Sequence, residues 1–234
     1  MKLTKKKVTV VSLVVCLLAI LSFSTLAWFN AKDEVTNTFK IADSDGDGTP
    51  DFSVEVWENE TDGDNDADQD GDGDNSIAHD GVTYEDILPG DVLAKNPTVE
   101  NTGDYEQWVR VYVTFDEWEV ISNACAAKGI SDDLRTWLDV NAGLSTPAWT
   151  PVGDGVVENN AITYVYYYNY KLTKDATATL FYNVTIPGAF EQEDMKFVNG
   201  NFTIKVKAEA IQADNTGANA YDAFAACWSE DYSN

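Results

Sequence analysis

Apolar and polar residues alternate with a period of two through much of the chain, a pattern that predicts strands. In "EQWVRVYVTFDEW", Val109, Val111, Val113 and Phe115 fall on one face, and Trp108, Arg110, Tyr112 and Thr114 on the other. "AITYVYYYNYKL" places Ile162, Tyr164, Tyr166, Tyr168 and Tyr170 on one side. "TLFYNVTIP" sets Leu180, Tyr182, Val184 and Ile186 against Phe181, Asn183 and Thr185. "GNFTIKVKAEAI" sets Phe202, Ile204, Val206 and Ala208 against Thr203, Lys205 and Lys207. "FSVEVW" and "NPTVEN" are shorter candidates. Turn residues separate the runs at Pro89-Gly90, Asn101 to Gly103, Gly153 to Gly155, Pro187-Gly188 and Asn199-Gly200. Two stretches have helical spacing. "SDDLRTWLDV" has Ser131 as N-cap, Asp132 and Asp133 in the first turn, and Leu134, Trp137 and Leu138 on one stripe. "ANAYDAFAACW" brings Tyr221, Phe224, Ala225 and Trp228 together. Many strands, frequent turns and few helices predict an all-β fold, an antiparallel β-sandwich with one or two short peripheral helices.

The N-terminus changes where this fold is expected to work. Lys2, Lys5, Lys6 and Lys7 precede an apolar run from Val8 to Phe23, followed by "STLAWFNAKDE". A basic region, an apolar core and a small residue at a cut site form a secretory signal. Cleavage is expected between Ala27 and Trp28, with Thr25 as the outer small residue. The alternative is a membrane anchor over Val8 to Phe29, long enough to span about 30 Å of hydrocarbon. Ser12, Ser22, Ser24 and Thr25 dilute that run, and Asp33 and Glu34 follow it closely. Secretion to the cell surface or extracellular matrix is therefore expected, with membrane contact only through an uncleaved signal.

Charge narrows the partners. The chain carries 15 Lys+Arg against 40 Asp+Glu, a net charge of −25. The first 27 residues hold four lysines and no acid, so the mature chain has 11 bases and a net charge of −29. Such a surface repels nucleic acid and anionic lipid and attracts divalent cations. Two cysteines, Cys125 and Cys227, lie beyond the signal, while Cys16 lies within it. In an exported chain the pair would form one disulfide or remain as two buried thiols.

The acid is concentrated. Between Asp43 and Asp80 there are fifteen Asp and Glu and no Lys or Arg. In "DSDGDGTPD", Asp43, Asp45 and Asp47 occupy alternate positions, Gly48 allows the sharp bend, the Thr49 carbonyl comes next, and Asp51 stands at the ninth place. A calcium loop needs this spacing, because alternate side chains turn inward around one ion. Val54 holds the twelfth position, so the bidentate Glu of an EF-hand is missing. In "TDGDNDADQDGDGDN" the best register is Asp66, Asp68, Asp70 and Asp74, with Gly71 at the bend; Asp62, Asp64 and Asp72 would serve a second shell or a shared ion. Oxygen-only donors specify calcium over zinc. The alternative is a solvated acidic insert with no bound ion.

The first stretch resembles the Asp-rich calcium repeats of thrombospondin type 3 and dockerin-like modules. Most of the rest resembles the TasA/camelysin family of Gram-positive exported proteins. The junction "STLAWFNAKDEVTNTFKIA" is similar to that family's signal segment, cut by a dedicated signal peptidase. "ILPGDVLAKNPTVENTGDYEQWVRVYV" is similar to its core phrase, in which Pro89-Gly90-Asp91 leads into Lys95, Pro97, Val99, Asn101 and Gly103. "YYYNYKLTKDATATLFYNVTIP" and "FTIKVKAEAIQADN" resemble its later strands. The chain departs from the family at residues 43–51 and 60–75 and around Cys125. The resemblance implies a jelly-roll-like sandwich, export to the cell surface or biofilm matrix, and assembly into fibres. On this reading residues 1–27 are the signal, 28–42 an N-terminal arm or first strand, 43–80 the calcium-loop region with one strand, and 81–234 the remainder of the sandwich, with 28–234 forming one domain. In the arm, Val35, Asn37, Phe39 and Ile41 alternate with Thr36, Thr38 and Lys40. Such a strand would add to a neighbour's open sheet edge and build a head-to-tail fibre, or pair within its own domain. Other matrix or cell-surface components are further candidate partners.

Some members of that family carry a metalloprotease label. Here His79 is the one histidine and there is no H-E-x-x-H helix, so a two-His zinc site is not expected. A nucleophile triad needs a His base, and His79 has no evident Ser or Cys partner; the chain reads as a non-enzyme. The competing readings are a camelysin-like metalloendopeptidase and a carbohydrate-binding or adhesion module. In the latter, Tyr164 to Tyr170, Trp108, Trp118 and Trp149 would stack on sugar rings.

Overall fold

The computed structural model describes residues 30–34, 37–38, 52–59, 77–78, 87–200 and 202–227. They form strands in antiparallel sheets with two short helices. The main sheet grows around β7 (Gln107–Phe115), the strand with the clearest alternation. Val109, Val111, Val113 and Phe115 are each 0% exposed. Burying four such side chains contributes about 1.5–3 kcal/mol each. β9 (Ala161–Tyr168) lies on one side of β7 and β12 (Ile204–Gln212) on the other; β8 (Trp149–Glu158) lies outside β9, and β1 (Asn30–Glu34) then β2 (Asn37–Thr38) lie outside β12. Ile162, Tyr164 and Tyr166 of β9 and Val206, Ala208 and Ala210 of β12 share the core with the β7 residues.

Smaller sheets contribute to the same core. One has the order β10 (Thr177–Thr179), β6 (Thr98–Glu100), β3 (Glu55–Asn59), β4 (Ile77–Ala78). The other pairs β11 (Asn183–Thr185) with β5 (Val92–Ala94). Val54, Val56, Val99, Ala178 and Val184 from these segments pack in the cluster that holds the β7 valines. The Trp149 indole N–H donates to the Thr179 carbonyl at 2.8 Å, fastening β8 to β10.

The structure departs from the sequence pattern at five places, each with a local cause. The run expected as one strand over "TLFYNVTIP" is two strands in different sheets: Leu180 and Phe181 both turn inward and Tyr182 is 56% exposed. Asp139 fixes the break, its Oδ1 accepting from the Tyr182 and Asn183 amides at 2.7 and 2.8 Å. The helix expected over 131–140 is a single 3-10 turn, Leu134–Trp137, capped by Asp133 and not Ser131. It stops because Leu138 is extended and bridges to Val184. Helix α1 (Trp118–Lys128) occupies a stretch with no helical signal. Its first amides are satisfied from the β8–β9 turn: the Trp118 N–H donates to the Asn160 carbonyl at 2.9 Å and the Glu119 N–H to Asn160 Oδ1 at 2.7 Å. In α2 (Ala220–Cys227) the inward residues are Ala220, Ala223 and Phe224, while Ala225 and Tyr221 are exposed.

The fifth departure is at Gly153 to Gly155, expected as a turn. Those residues lie inside β8, where the register with β9 shifts between Val152 and Val156. The hairpin turn is Asn159-Asn160, both at positive φ (51° and 61°), as a two-residue loop of the favoured twist requires. Gly155 has φ +93°, and a Cβ there would lie 2.7 Å from Tyr164 Cε1. Gly155→Ala is expected to cost about 2–4 kcal/mol through backbone strain and overpacking. Urea unfolding measures this, and a midpoint equal to wild type would show that Tyr164 yields.

The main sheet is covered on both faces at one end. On the side of Trp108 and Arg110, α2 lays Ala220, Ala223 and Phe224 over Trp108, Val165, Tyr167 and Ile211. Arg110, read as an outward residue, is 0% exposed there. β1 runs antiparallel to β12 of its own chain, Asn30 across from Ile211 and Glu34 across from Lys207. This pairing lies upstream of the alternation at 35–41, of which Asn37–Thr38 are described.

Candidate functional site

The proposed calcium ligands Asp43, Asp45, Asp47, Thr49, Asp51, Asp66, Asp68, Asp70 and Asp74 lie outside the described residues, as do the cleavage pair Ala27 and Trp28, and His79. What is described is the strand from which both acidic stretches depart. The first stretch ends at Asp51, one residue before buried Phe52. The second starts beyond Asn59 and returns at Ile77–Ala78, where β4 pairs with β3: Glu58 stands across from Ala78 and Asn59 across from Ile77. The described residues that flank the second stretch, Asn59 and Ile77, therefore lie side by side.

β3 is riveted along its length to the phrase at 87–107. Near its start, the Ser53 carbonyl accepts from Gln107 Nε2 at 2.8 Å, and the Ser53 hydroxyl pairs with Thr102. In the middle, the Trp57 indole N–H donates to Glu100 Oε2 at 2.9 Å. At its end, the Lys95 ammonium donates to Glu58 Oε1, with both side chains more than nine-tenths buried. A buried pair of this kind gives little net stability, but breaking it strands a charge, so it fixes position. Sequence reasoning named Lys95 without giving it a partner. The available signal was its isolation: Lys95 is the one Lys or Arg between Lys40 and Arg110.

The other residues of the phrase hold backbone. Gly90 sits at φ 92° in a turn closed by Asp91, whose Oδ2 accepts the Leu88 amide at 2.7 Å. The Gly90 N–H donates to the Ile186 carbonyl at 3.1 Å, and the Ile186 N–H donates to the Asp91 carbonyl at 2.9 Å. The Pro97 carbonyl accepts from the Leu180 amide at 3.0 Å, and Val99 lies in the core. Asn101 is fully buried at the centre of a network joining Gly103, Tyr105, Gln107 and Leu172.

The aromatic residues considered for sugar stacking are largely interior. Trp108, Trp149, Tyr164 and Tyr166 are buried, Trp118 and Tyr168 half-buried, and Tyr170 exposed. Burial pushes the Tyr164 phenol up to about 12, even though its oxygen accepts the Leu134 amide at 3.1 Å, and burial raises Tyr166 as well. Neither ring is available to a ligand in solution. Cys125 and Cys227 are free thiols. Cys125 belongs to the main core and Cys227 packs against the cluster under α2. Burial, with Asp132 nearby, pushes the Cys125 thiol up to about 11, so it is protonated at neutral pH and a poor nucleophile.

On the α2 side of the main sheet lies an ion pair. Arg110 Nε and Nη2 donate to Glu209 Oε2 at 2.9 and 2.7 Å, and the Tyr112 hydroxyl donates to the same oxygen at 3.0 Å. Burial works against the Arg110 charge, but Tyr112 and Glu209 outweigh it and the guanidinium pKa stands above its ordinary value. Among the described residues, no three His, Cys, Asp or Glu stand close enough to hold a metal ion. Set against models of known protein families, against curated proteins and against solved structures, the chain has no match.

Proposed function

We propose that this protein is an exported architectural component of a cell surface or extracellular matrix, a calcium-stabilised antiparallel sandwich of jelly-roll type that assembles by donating its N-terminal strand. The observation that carries the reading is the mounting of β3. Both acidic stretches leave from its ends, and Ser53, Trp57 and Glu58 fasten it to the phrase on which the resemblance to the TasA/camelysin family rests. In that phrase Gly90, Asp91, Pro97, Asn101 and Gln107 hold backbone in place, and Val99 lies in the core. Such a motif serves a framework; catalysis would need a polar group presented to a substrate.

Calcium would be held by carboxylates of Asp43, Asp45, Asp47 and Asp51 with the Thr49 carbonyl, and by Asp66, Asp68, Asp70 and Asp74. This donor set fits a hard cation with oxygen ligands. In an extracellular setting even an incomplete loop, with a dissociation constant of about 10⁻⁴–10⁻³ M, would fill. Bound ions cancel the repulsion among carboxylates gathered at the two ends of one strand. Donation would use β1, which in this chain pairs with its own β12 and, among the described residues, has only two-residue β2 beyond it.

Electron microscopy and thermal unfolding of the mature chain, with millimolar calcium and with chelator, test both parts. Calcium is expected to raise the melting temperature, protect residues 43–80 from proteolysis and favour fibres. Deleting Trp28 to Phe39 is expected to leave monomers. An unchanged melting temperature on chelation removes the calcium part, and polymers formed by the deletion variant remove the donor-strand part.

A further inference from the structure

The Lys95–Glu58 pair holds reactive groups in contact. Lys95 Nζ donates to Glu58 Oε1, both side chains are buried, and Glu58 Oε2 has no hydrogen-bond partner among the described residues. We infer that the two side chains condense into an amide, a covalent cross-link that the protein makes on itself. The link is independent of bound ions and of assembly.

The ion pair is an unfavourable state to keep. Burial takes both charges out of water, and their attraction offsets this only where the remaining lone pairs are satisfied. Those of Oε2 are not. Condensation removes both charges at once, and a buried amide loses far less hydration than an ammonium and a carboxylate. Amide formation between separate molecules in water is unfavourable. Groups held in contact instead react as if at about 10⁵–10⁸ M, and the water formed escapes to solvent.

The step balances within the pair. Nζ passes one proton to Oε1, leaving a neutral amine beside a neutral acid. The Nζ lone pair attacks Cδ, and the C–N bond forms as the Cδ–Oε2 double bond opens. A second proton moves from Nζ to Oε1, the Cδ–Oε1 bond breaks, and Oε1 departs as water. Oε2 becomes the amide carbonyl oxygen, and Nζ keeps one hydrogen. No oxidant, reductant or co-reactant is consumed. Lysine suits this role because its amine is a nucleophile once deprotonated, a form that arginine does not reach in proteins.

Position gives the link its use. Glu58 lies in β3 and Lys95 directly follows β5, 37 positions further on. The second acidic stretch lies between them in the sequence, so the bond closes a covalent ring that contains it. A disulfide could serve the same end, but Cys125 and Cys227 are free thiols. An amide also survives reducing agents.

Trypsin distinguishes the two states of the pair. Lys95 is the one Lys or Arg between Lys40 and Arg110, so the denatured, unlinked mature chain gives two peptides there, residues 41–95 and 96–110. Trypsin does not cut after an acylated lysine. The linked chain is expected to give one peptide, residues 41–110, lighter by the mass of one water, with fragment ions that keep Glu58 and Lys95 joined. Lys95→Arg keeps a positive charge for Glu58 but has no amine to condense, and is expected to be cut at position 95 and to show full mass. Cleavage after Lys95 throughout the denatured wild type overturns the inference. So does an uncut peptide of full mass, or a loss of water that persists in Lys95→Arg, which would place that loss elsewhere in the chain.

Discussion

Arg110→Ala is expected to destabilise the protein by about 3–5 kcal/mol, the cost of taking from a buried carboxylate the cation that makes two of its hydrogen bonds. Glu209 is 2% exposed, and Arg110 supplies two of the hydrogen bonds to its Oε2. Truncation removes both bonds and leaves a cavity under Phe224, over whose ring the guanidinium carbon sits at 4.5 Å. The helix α2 rests on that contact, so its amides should lose hydrogen-exchange protection first. Replacing the whole pair with apolar residues, Arg110→Met with Glu209→Leu, is expected to fall within about 1–2 kcal/mol of wild type, because no charge is stranded. Urea unfolding of the three variants decides the matter. A single variant as stable as wild type would mean that Glu209 is satisfied without Arg110.

The pair also shows where legibility in the sequence ended. Strands β7, β9 and β12 were readable because two-residue periodicity is a local signal and their core faces are apolar without interruption. The sequence put Arg110 on the face opposite Val109 and Val111, which is where it lies. It gave no sign that this face would be covered, since the cover is a helix more than one hundred residues away along the chain. Arg110 and Glu209 meet only through the register of β7 on β12. Helix α1 was unreadable for a related reason: its residue at the capping position is Glu117 in the left-handed region, and the groups that satisfy its first amides come from Asn160. The broken strand at Phe181 depends likewise on Asp139, a distant carboxylate. At the candidate site, the spacing of the aspartates was local and therefore visible. The strand mount beneath them, Ser53, Glu58 and Lys95, is built from pairs separated by tens of residues and was not.

Substituting Asn101 is expected to cost as much as breaking the ion pair, with a pH dependence that identifies the cause. An Asn side chain has two N–H donors and an oxygen with two lone pairs, and here all four are used. Asn101 Nδ2 donates to the Tyr105 and Leu172 carbonyls at 2.8 and 2.9 Å, and Oδ1 accepts from the Gly103 amide at 3.0 Å and from Gln107 Nε2 at 2.6 Å. The backbone of Asn101 also pairs with Ala176 and Asp175, so the side chain cannot withdraw without undoing the β6–β10 junction. Asn101→Leu keeps the volume and strands these groups; at about 1–3 kcal/mol for each buried group left unsatisfied, a loss of about 3–5 kcal/mol is expected. Asn101→Asp directs a carboxylate at two carbonyl oxygens. Its folded-state pKa would stand above the unfolded value of about 3.9, so the stabilising form is the protonated one. Stability of that variant relative to wild type should be greatest below pH 4 and fall as the pH rises through the folded-state pKa, the reverse of ordinary acid denaturation. Thermal unfolding of both variants between pH 3 and pH 8 tests the argument. If Asn101→Asp matched wild type at neutral pH while calcium-dependent assembly was lost, Asn101 would belong to a binding surface and the reading of the phrase as a mount for β3 would fall.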